Sequence, residues 1–373
     1  MKTTLKLLAL LLTCSTALAD KTVPAPSKPR IEVCFVLDTT GSMGGLIEGA
    51  KQKIWSIANE MISAKPTPEL KLSLIGYRDK GDAYVVKSFP LTDDIDAIYA
   101  HLREFAADGG GDTPESVNEA LAEAINKTSW SQDRDVLKII FLVGDAPPHM
   151  DYADGPKYAD LCRIACKKDL IINTVQCGSM SETTPIWQEI AKLSEGRYAA
   201  IAQTGNMVVV TTPMDEKLAE LNRKIGATLI PYGDKDLRGA VAAKQAASES
   251  APAAAAADRL SYNARTNKAV QGAGELLDAL TNNELKLESI DQKKLPSDLQ
   301  NLSRVEMEKR VAKARADRSG LQKEIAELSK ERDAYLQTEN KRLAAEGKGD
   351  AFDSKVAETI HEQASKKGIN YTR

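Results

Sequence analysis

The strongest indication of the fold is the segment Ile31-Glu32-Val33-Cys34-Phe35-Val36-Leu37-Asp38-Thr39-Thr40-Gly41-Ser42. Its first seven residues are nearly all apolar, a pattern typical of a strand that is buried on both faces of a parallel sheet. Such sheets bind ligands beyond the C-terminal ends of their strands. Asp38, Thr40 and Ser42 alternate there, so an extended loop points three oxygen-bearing side chains the same way, which suits Mg²⁺, Mn²⁺ or Ca²⁺. Taken alone, these residues leave open an ordinary Asx turn and helix cap.

Two more acidic loops follow in the same structural context. Gly109-Gly110-Gly111-Asp112-Thr113-Pro114-Glu115-Ser116 precedes a helical pattern that begins at Val117. A second strand of the buried type, 136–143, leads into Gly144-Asp145-Ala146-Pro147-Pro148-His149. The strands on either side predict that both loops lie at the same edge of the sheet as the first.

In the order, spacing and strand context of these loops, residues 30–233 resemble the von Willebrand factor type A family. In that family a metal-ion-dependent adhesion site joins a D-x-S-x-S loop to a Thr or Glu of a second loop and an Asp of a third. The resemblance implies a divalent cation, Mg²⁺ with Mn²⁺ or Ca²⁺ as alternatives, held by residues of all three loops. Its implied ligands are Asp38, Thr40, Ser42, Thr113 or Glu115, and Asp145.

Within the family, the loops are most similar to the A-type domain of integrin β subunits. Asp112-Thr113-Pro114-Glu115 is similar to the D-S-P-E stretch of that branch, which favours Glu115 over Thr113 as the ligand on the second loop. The same likeness implies a second cation site formed by Asp79, Asp112 and Glu115. One ligand of that pattern, an Asn, is replaced here by Gly110. Positions 45 and 46 are Gly and Leu, where that branch has acidic residues that bind a third cation, so no third cation is expected.

The rest of the chain predicts two regions of different character. Strand and helix patterns alternate through 30–233, which predicts a doubly wound, mostly parallel α/β sheet of the Rossmann-like type. A fragment of roughly residues 20–234 is expected to fold alone. The Ala-rich segment 234–258 is interpreted as a linker, with an alanine-rich helix as the alternative. Residues 259–373 show no strand pattern and predict helices, partly as a helical hairpin or short coiled coil in which Arg318 and Arg332 interrupt the apolar seam. Such a tail either makes oligomers or packs on its neighbours.

Composition and the N-terminus narrow the cellular role. A net charge of -3 gives no electrostatic basis for binding nucleic acid. Residues 1–19 have the pattern of a cleavable signal peptide, which predicts a secreted or periplasmic protein without a membrane span. Cys14 follows a poor lipobox, so a lipid anchor stays an open alternative. The remaining cysteines, Cys34, Cys162, Cys166 and Cys177, leave the disulfide pattern undetermined, although Cys34 and Cys177 fall in strand patterns and suit core thiols.

Three classes of function are consistent with these features. The first is a metal-dependent binding module, in which the cation bridges to a carboxylate of a protein partner. The second is a structural subunit of an envelope complex that assembles through the helical tail. The third is a metal-dependent hydrolase. No sequence motif supplies a nucleophile with its base, and His149 is interpreted as orienting its loop, so the chain is expected not to be an enzyme.

Overall fold

A computed structural model of the protein describes residues 28–205, 207–349 and 351–371, which include a six-stranded sheet. Its strands are β1 (Arg30–Asp38), β2 (Glu69–Tyr77), β3 (Val86–Thr92), β4 (Leu137–Gly144), β5 (Ile171–Cys177) and β6 (Tyr198–Ile201). They lie side by side in the order β3-β2-β1-β4-β5-β6. Neighbouring strands are parallel except for β2 and β3, which are antiparallel. The predicted mostly parallel α/β sheet is confirmed.

Helices cover both faces of this sheet, as a doubly wound fold requires. The helices of the first half are α1 (Gly44–Met61), α2 (Ile95–Glu104), α3 (Val117–Asn126), α4 (Tyr158–Lys167), α5 (Thr183–Leu193) and α6 (Asp215–Gly226). Alternate residues of β1 contact opposite layers, because successive side chains of a strand point to opposite faces. Val33 and Phe35 pack in one apolar cluster with α1 and α2, whereas Cys34 and Val36 pack in the other with α3, α4 and α5.

The segment that the sequence analysis interpreted as a linker, 234–258, is helical, so that prediction is wrong and its alternative is right. It contains α7 (Lys235–Glu249) and the start of α8 (Ala253–Thr266). The alanines 254–257 are buried, and Ala257 packs with residues of α6. Small side chains permit this close approach of helices, which explains why an alanine-rich stretch is part of the packed structure and not a tether.

The remaining helices are α9 (Leu276–Thr281), α10 (Ser297–Gln300), α11 (Arg304–Ala345) and α12 (Ala351–Ser365). The predicted helical hairpin is one continuous 42-residue helix, α11, which starts with a capping box of Ser303 and Glu306. Its buried residues pack on other helices of the same chain: Ile325 joins the cluster of α6 and α8, and Val311 joins that of α9. Within the described residues, the predicted apolar seam of α11 therefore packs on neighbouring helices of the same chain.

The two arginines that interrupt the seam of α11 are buried and paired with acids of other helices. Arg332 lies 2.7 Å from Asp215 of α6 and 2.5 Å from Asp258 of α8. Arg318 lies 2.8 Å from Glu275, the residue before α9. Removing one member of such a pair leaves a buried charge without its counterion, so these contacts fix where the long helix docks.

The helical tail also contributes to the core of the sheet. Phe352, Val356 and Ile360 of α12 belong to the same apolar cluster as β1 and α1. The predicted independent folding of roughly residues 20–234 leaves this contact out, because such a fragment lacks α12 and would expose apolar surface of α1 to water. The core of the α/β region thus extends into the last helix that the structure describes.

The cysteines and the N-terminus bear on the predicted export. Cys34, Cys162 and Cys177 are buried, Cys166 is exposed, and no disulfide joins these four residues. The predicted signal peptide, 1–19, and Cys14 lie outside the described residues. Within the part of the chain that is described, no helix is long and apolar enough to span a bilayer.

Candidate metal centre

The candidate site lies at the C-terminal ends of β1 and β4, two neighbouring strands whose following connections lead to opposite sides of the sheet. From β1 the chain crosses to β2 on one side, whereas β4 lies on the other side of β1 and leads to β5. Such a switch point between neighbouring parallel strands opens a crevice at their C-terminal ends. Asp38 is the last residue of β1, and Asp145 directly follows β4. The register pairs Leu37 with Val143, so the two aspartates emerge side by side.

The first loop brings its three predicted oxygen donors together. Oδ1 of Asp38 accepts hydrogen bonds from the backbone N–H of Thr40 at 2.8 Å and from its hydroxyl at 2.6 Å. The hydroxyls of Thr40 and Ser42 are 3.3 Å apart. Asp38 is fully buried, yet its other carboxylate oxygen, Oδ2, has no hydrogen-bond partner. A buried carboxylate oxygen without a donor is costly unless something outside the described atoms satisfies it.

The second loop places Glu115 inside the site and Thr113 at its rim. The backbone N–H of Glu115 donates to Pro147 at 2.9 Å, and its carbonyl accepts from the N–H of His149 at 3.0 Å, so this loop is attached to the third loop. Only 4% of Glu115 is exposed, and its Oε2 also lacks a hydrogen-bond partner. Thr113 is exposed. Both residues border the same cleft, so the structure positions both candidates there and buries the charged one.

The three loops enclose an open cleft of about 240 Å³. Five of the six predicted ligand residues line it: Thr40, Ser42, Thr113, Glu115 and Asp145. The sixth, Asp38, is connected to the lining by its hydrogen bonds to Thr40. The structure therefore brings all the residues of the predicted first site together at one end of the sheet.

Two glycines keep room for this arrangement. A Cβ atom on Gly144 would lie 2.3 Å from the hydroxyl of Tyr77 and 2.9 Å from Cβ of Asp38. Gly110 has a φ of +78°, and a Cβ atom there would lie 3.0 Å from Oε1 of Glu115. Gly110 occupies the position where the integrin-like pattern has an Asn, and both its backbone conformation and its surroundings disfavour a side chain.

Electrostatics of the site favour a bound cation. Burial, and to a smaller extent the charge of Asp145, raises the pKa of Asp38 to about 7. Burial together with the charges of neighbouring carboxylates, Asp38 first among them, raises the pKa of Glu115 to about 9. These carboxylates are crowded and poorly solvated, so a divalent cation between them would remove the repulsion that disfavours their ionised forms. Two orphaned buried oxygens and an all-oxygen donor set fit a hard cation.

Gln203, which was not among the predicted site residues, contacts the site from the turn after β6. Its amide nitrogen donates to Oδ2 of Asp145 at 2.6 Å and lies 3.3 Å from the carbonyl oxygen of Ser42. The hydroxyl of Thr183 donates to the carbonyl of Asp145 at 2.8 Å. Gln203 carries no motif, and its only signal in the sequence is that it follows a strand that ends at the same edge of the sheet.

The residues of the predicted second site are only partly brought together as expected. Ligand atoms of Asp79 and Asp112 lie within 4.8 Å of each other and of a ring nitrogen of His149. Glu115, the third predicted member, does not belong to this group and lines the cleft of the first site instead. The backbone N–H of His149 also donates to the carbonyl of Glu115, so the third loop is attached to the second here.

Comparisons with known proteins match the part of the chain that contains the sheet and the three loops. The family model of the von Willebrand factor A domain matches residues 32–213. The von Willebrand factor A domain-containing protein 7 of Rattus norvegicus is 36% identical over 120 residues, which are 32% of this chain and 12% of that protein. An ariadne-like RING finger protein of Acanthamoeba polyphaga mimivirus is 22% identical over 234 residues, which are 57% of this chain and 22% of that protein. The chain thus spans less than a quarter of either relative.

Among solved structures, the chain is similar to the proximal thread matrix protein 1 of the mussel byssus, with a TM-score of 0.36 and 13% sequence identity. In that structure zinc occupies the metal-ion-dependent adhesion site (MIDAS) motif. The likeness covers 47% of this chain and 42% of that one. The match to the family model spans the sheet, all three acidic loops and the turn after β6. The family-model match therefore supports a von Willebrand factor type A domain in residues 32–213 of this chain.

Proposed function

We propose that the chain is a metal-ion-dependent protein-binding module, in which a divalent cation at the C-terminal edge of the sheet bridges to a carboxylate of a partner. The observation that carries this proposal is the pair of buried oxygens without hydrogen-bond partners, Oδ2 of Asp38 and Oε2 of Glu115. Both belong to loops that border an open cleft. A cation bound between them would satisfy both oxygens and would leave a coordination position facing the cleft.

Asp38, Thr40, Ser42 and Asp145 supply the first ligands in this proposal, directly or through water. Glu115 is the favoured ligand of the second loop because it is buried and carries a carboxyl group, with Thr113 as the alternative. Oxygen-only donors suit Mg²⁺, with Mn²⁺ or Ca²⁺ as alternatives. The bound cation supplies the positive charge that lets an acidic side chain of a partner approach a cleft that is otherwise lined with carboxylates.

A binding role fits the site better than a catalytic one. The imidazole of His149 contacts Asp151 and Asp79 and lies outside the lining of the cleft, so it is not placed to activate a water there. We further propose, from the sequence pattern of residues 1–19, that the module acts outside the cytoplasm. Assembly through the tail, the second candidate, would have to use parts of α11 that stay exposed, where Val305 and Tyr335 are large exposed apolar side chains.

The proposal can be tested with a displayed library of short peptides, in which acidic and amidated versions of each sequence are compared on the immobilised full chain. Peptides that bind should carry Asp or Glu, should require Mg²⁺ or Mn²⁺, and should be released by EDTA. Asp38→Ala and Asp145→Ala should abolish their capture. Asp108→Asn is the matched control, since it removes an exposed charge on the neighbouring loop and should leave capture unchanged.

Surface plasmon resonance on the selected peptides gives the decisive comparison. Binding that persists in EDTA and in both alanine variants would contradict a bridging cation and would favour a role in which the domain is only a scaffold for the tail. Circular dichroism of each variant establishes whether a loss of binding reflects the site or the fold.

A further inference from the structure

We propose that Asp79, Asp112 and His149 form a second cation site, separate from the one at Asp38. Its imidazole ligand, His149, favours a transition metal such as Zn²⁺ over Mg²⁺ or Ca²⁺. This inference does not depend on the proposed binding function, because its ligands are not those of the first site. It replaces the predicted all-oxygen set, since Glu115 faces the cleft and a histidine stands in the group instead.

The distances between the ligand atoms fit a metal better than direct hydrogen bonds. Nε2 of His149 lies 3.3 Å from Oδ2 of Asp79 and 3.9 Å from Oδ2 of Asp112. Charge-assisted hydrogen bonds are shorter, at about 2.7 to 2.9 Å. Ligands held at about 2.0 to 2.1 Å from a tetrahedral zinc ion are separated by about 3.3 Å. One of the two spacings already has this value, and the other needs a small movement of an exposed side chain.

His149 is held as a metal ligand is usually held. Its Nδ1 is 2.7 Å from Oδ1 of Asp151, and its ring stacks on Tyr152 with centroids 4.2 Å apart. A carboxylate on one ring nitrogen keeps the proton there and directs the lone pair of the other nitrogen away from it. Only 5% of His149 is exposed, and Nε2 has no hydrogen-bond partner although it faces Asp79 and Asp112.

Asp79 is oriented in the same manner. Its Oδ1 accepts hydrogen bonds from the hydroxyl of Ser116 at 2.9 Å and from that of Tyr152 at 3.0 Å. Its Oδ2 faces His149 and also accepts from the hydroxyl of Tyr152 at 3.2 Å. Asp79 is 7% exposed, so two outer hydroxyls and the packing around them fix its carboxylate. Partners of this kind position metal-binding carboxylates and increase metal affinity.

Asp112 provides the open side of the site. Its side chain is 62% exposed, so a cation can enter from solvent and keep water molecules on that side. Two carboxylates and one imidazole make three protein ligands, a number that leaves a fourth position for water. Imidazole is a good ligand for zinc, copper, nickel and cobalt, whereas Mg²⁺ and Ca²⁺ prefer oxygen alone. The ligand set therefore predicts the preference for a transition metal.

A protonated His149 is the competing explanation of the same cluster. Burial disfavours the charged ring, but the hydrogen bond to Asp151 and the charges of Asp79, Asp151 and Asp112 outweigh it, so the pKa of His149 is raised. An imidazolium with Asp79 as counterion would bind no metal and would involve Asp112 only as a nearby negative charge. The two explanations thus differ in the metal affinity of the protein and in its dependence on Asp112.

The experiment uses the full chain carrying Asp38→Ala, which removes the first site, and titrates it with Zn²⁺ against a chromophoric chelator. We expect one zinc ion per chain, and a loss of affinity of about tenfold or more in Asp112→Asn and in His149→Gln. Mg²⁺ and Ca²⁺ at the same concentrations should not displace the zinc. Asp108→Asn is the matched control, because its side chain is 79% exposed on the same loop and contacts Arg78 instead.

A spectroscopic readout separates nitrogen ligation from surface binding. Co²⁺ added to the Asp38→Ala chain should give visible absorption bands of a low-coordinate site, and these should disappear in His149→Gln. Asp112→Asn keeps the test decisive if His149→Gln does not fold, since Asp112 is exposed. Zinc affinity that is unchanged in Asp112→Asn, or that is already absent in the Asp38→Ala chain, would overturn the proposal.

Discussion

Asp38→Asn should make the cation-free protein more stable at pH 8 than the unchanged protein, and should abolish stabilisation by Mg²⁺. Burial raises the pKa of Asp38 to about 7 from its ordinary value of 3.8. The folded chain therefore holds a proton that the unfolded chain releases at lower pH. A raised carboxylate pKa costs stability as pH rises, beginning near the unfolded pKa and levelling off above the folded pKa.

The size of this effect follows from the pKa difference. About three pKa units correspond to a penalty on the order of 4 kcal/mol once the pH is well above 7, at 1.36 kcal/mol per unit. At pH 5 the same shift costs only about 2 kcal/mol, because the folded Asp38 is still protonated. Asn keeps the oxygen that accepts from Thr40 but carries no charge, so it removes the penalty. Its amide nitrogen, left near the unpaired position of Oδ2, offsets part of the gain.

The assay is urea denaturation in EDTA at pH 5 and pH 8, followed by the same titration with Mg²⁺. We expect the stability difference between Asp38→Asn and the unchanged chain to increase by roughly 2 kcal/mol from pH 5 to pH 8. Mg²⁺ at about one hundred times its dissociation constant should stabilise the unchanged chain by about 2.7 kcal/mol and should leave the variant unaffected. Asp108→Asn serves as a control for the loss of a carboxylate that is exposed.

Two results would refute this reasoning. A variant that is less stable than the unchanged chain in EDTA at both pH values would mean that the Asp38 carboxylate is satisfied without a metal. Equal stabilisation of both proteins by Mg²⁺ would mean that the cation binds elsewhere.

Three other predictions follow from the same structure. Glu115→Gln should weaken Mg²⁺ or Mn²⁺ more than Thr113→Val in calorimetric titration, because Glu115 brings a charge; the reverse order would assign the second loop to Thr113. Gly144→Ala should destabilise the chain by about 1 to 3 kcal/mol in thermal or urea unfolding, since its Cβ would overlap the tyrosine hydroxyl of β2; an unchanged midpoint would contradict this. Arg332→Ala should cost about 3 to 5 kcal/mol because two buried carboxylates lose their counterion, and an unaltered unfolding curve would mean that α11 docks without this pair.

The α/β half of the chain was predictable because its strands carry strong local signals. The apolar run of β1 is buried on both faces, as a central parallel strand requires. Buried strands, turn glycines and helix periodicity are properties of short stretches, so they can be recognised without knowing the neighbours. The shared position of the three acidic loops could be predicted for the same reason, because parallel strands place their C-terminal ends at one edge of the sheet.

The helical tail was less predictable because its contacts join residues far apart in sequence. Arg318 and Arg332 appear as defects of an apolar seam until their partners in other helices are known. The alanines before Asp258 have no pattern that distinguishes a solvated linker from a packed helix, since their burial depends on α6. The apolar residues of α12 do not by themselves indicate that this helix covers α1 and the sheet.

Local pattern and strand order are enough to predict the sheet, the edge at which a ligand is expected and the candidate residues of the first cation site. Which side chains face one another becomes known only from the folded chain. It directed Glu115 to the cleft, brought Gln203 to Asp145 and placed His149 against Asp79 and Asp112. The reason is physical: a motif specifies where the chain turns, whereas the direction and ionisation of a carboxylate are set by burial and by charges that come from distant segments.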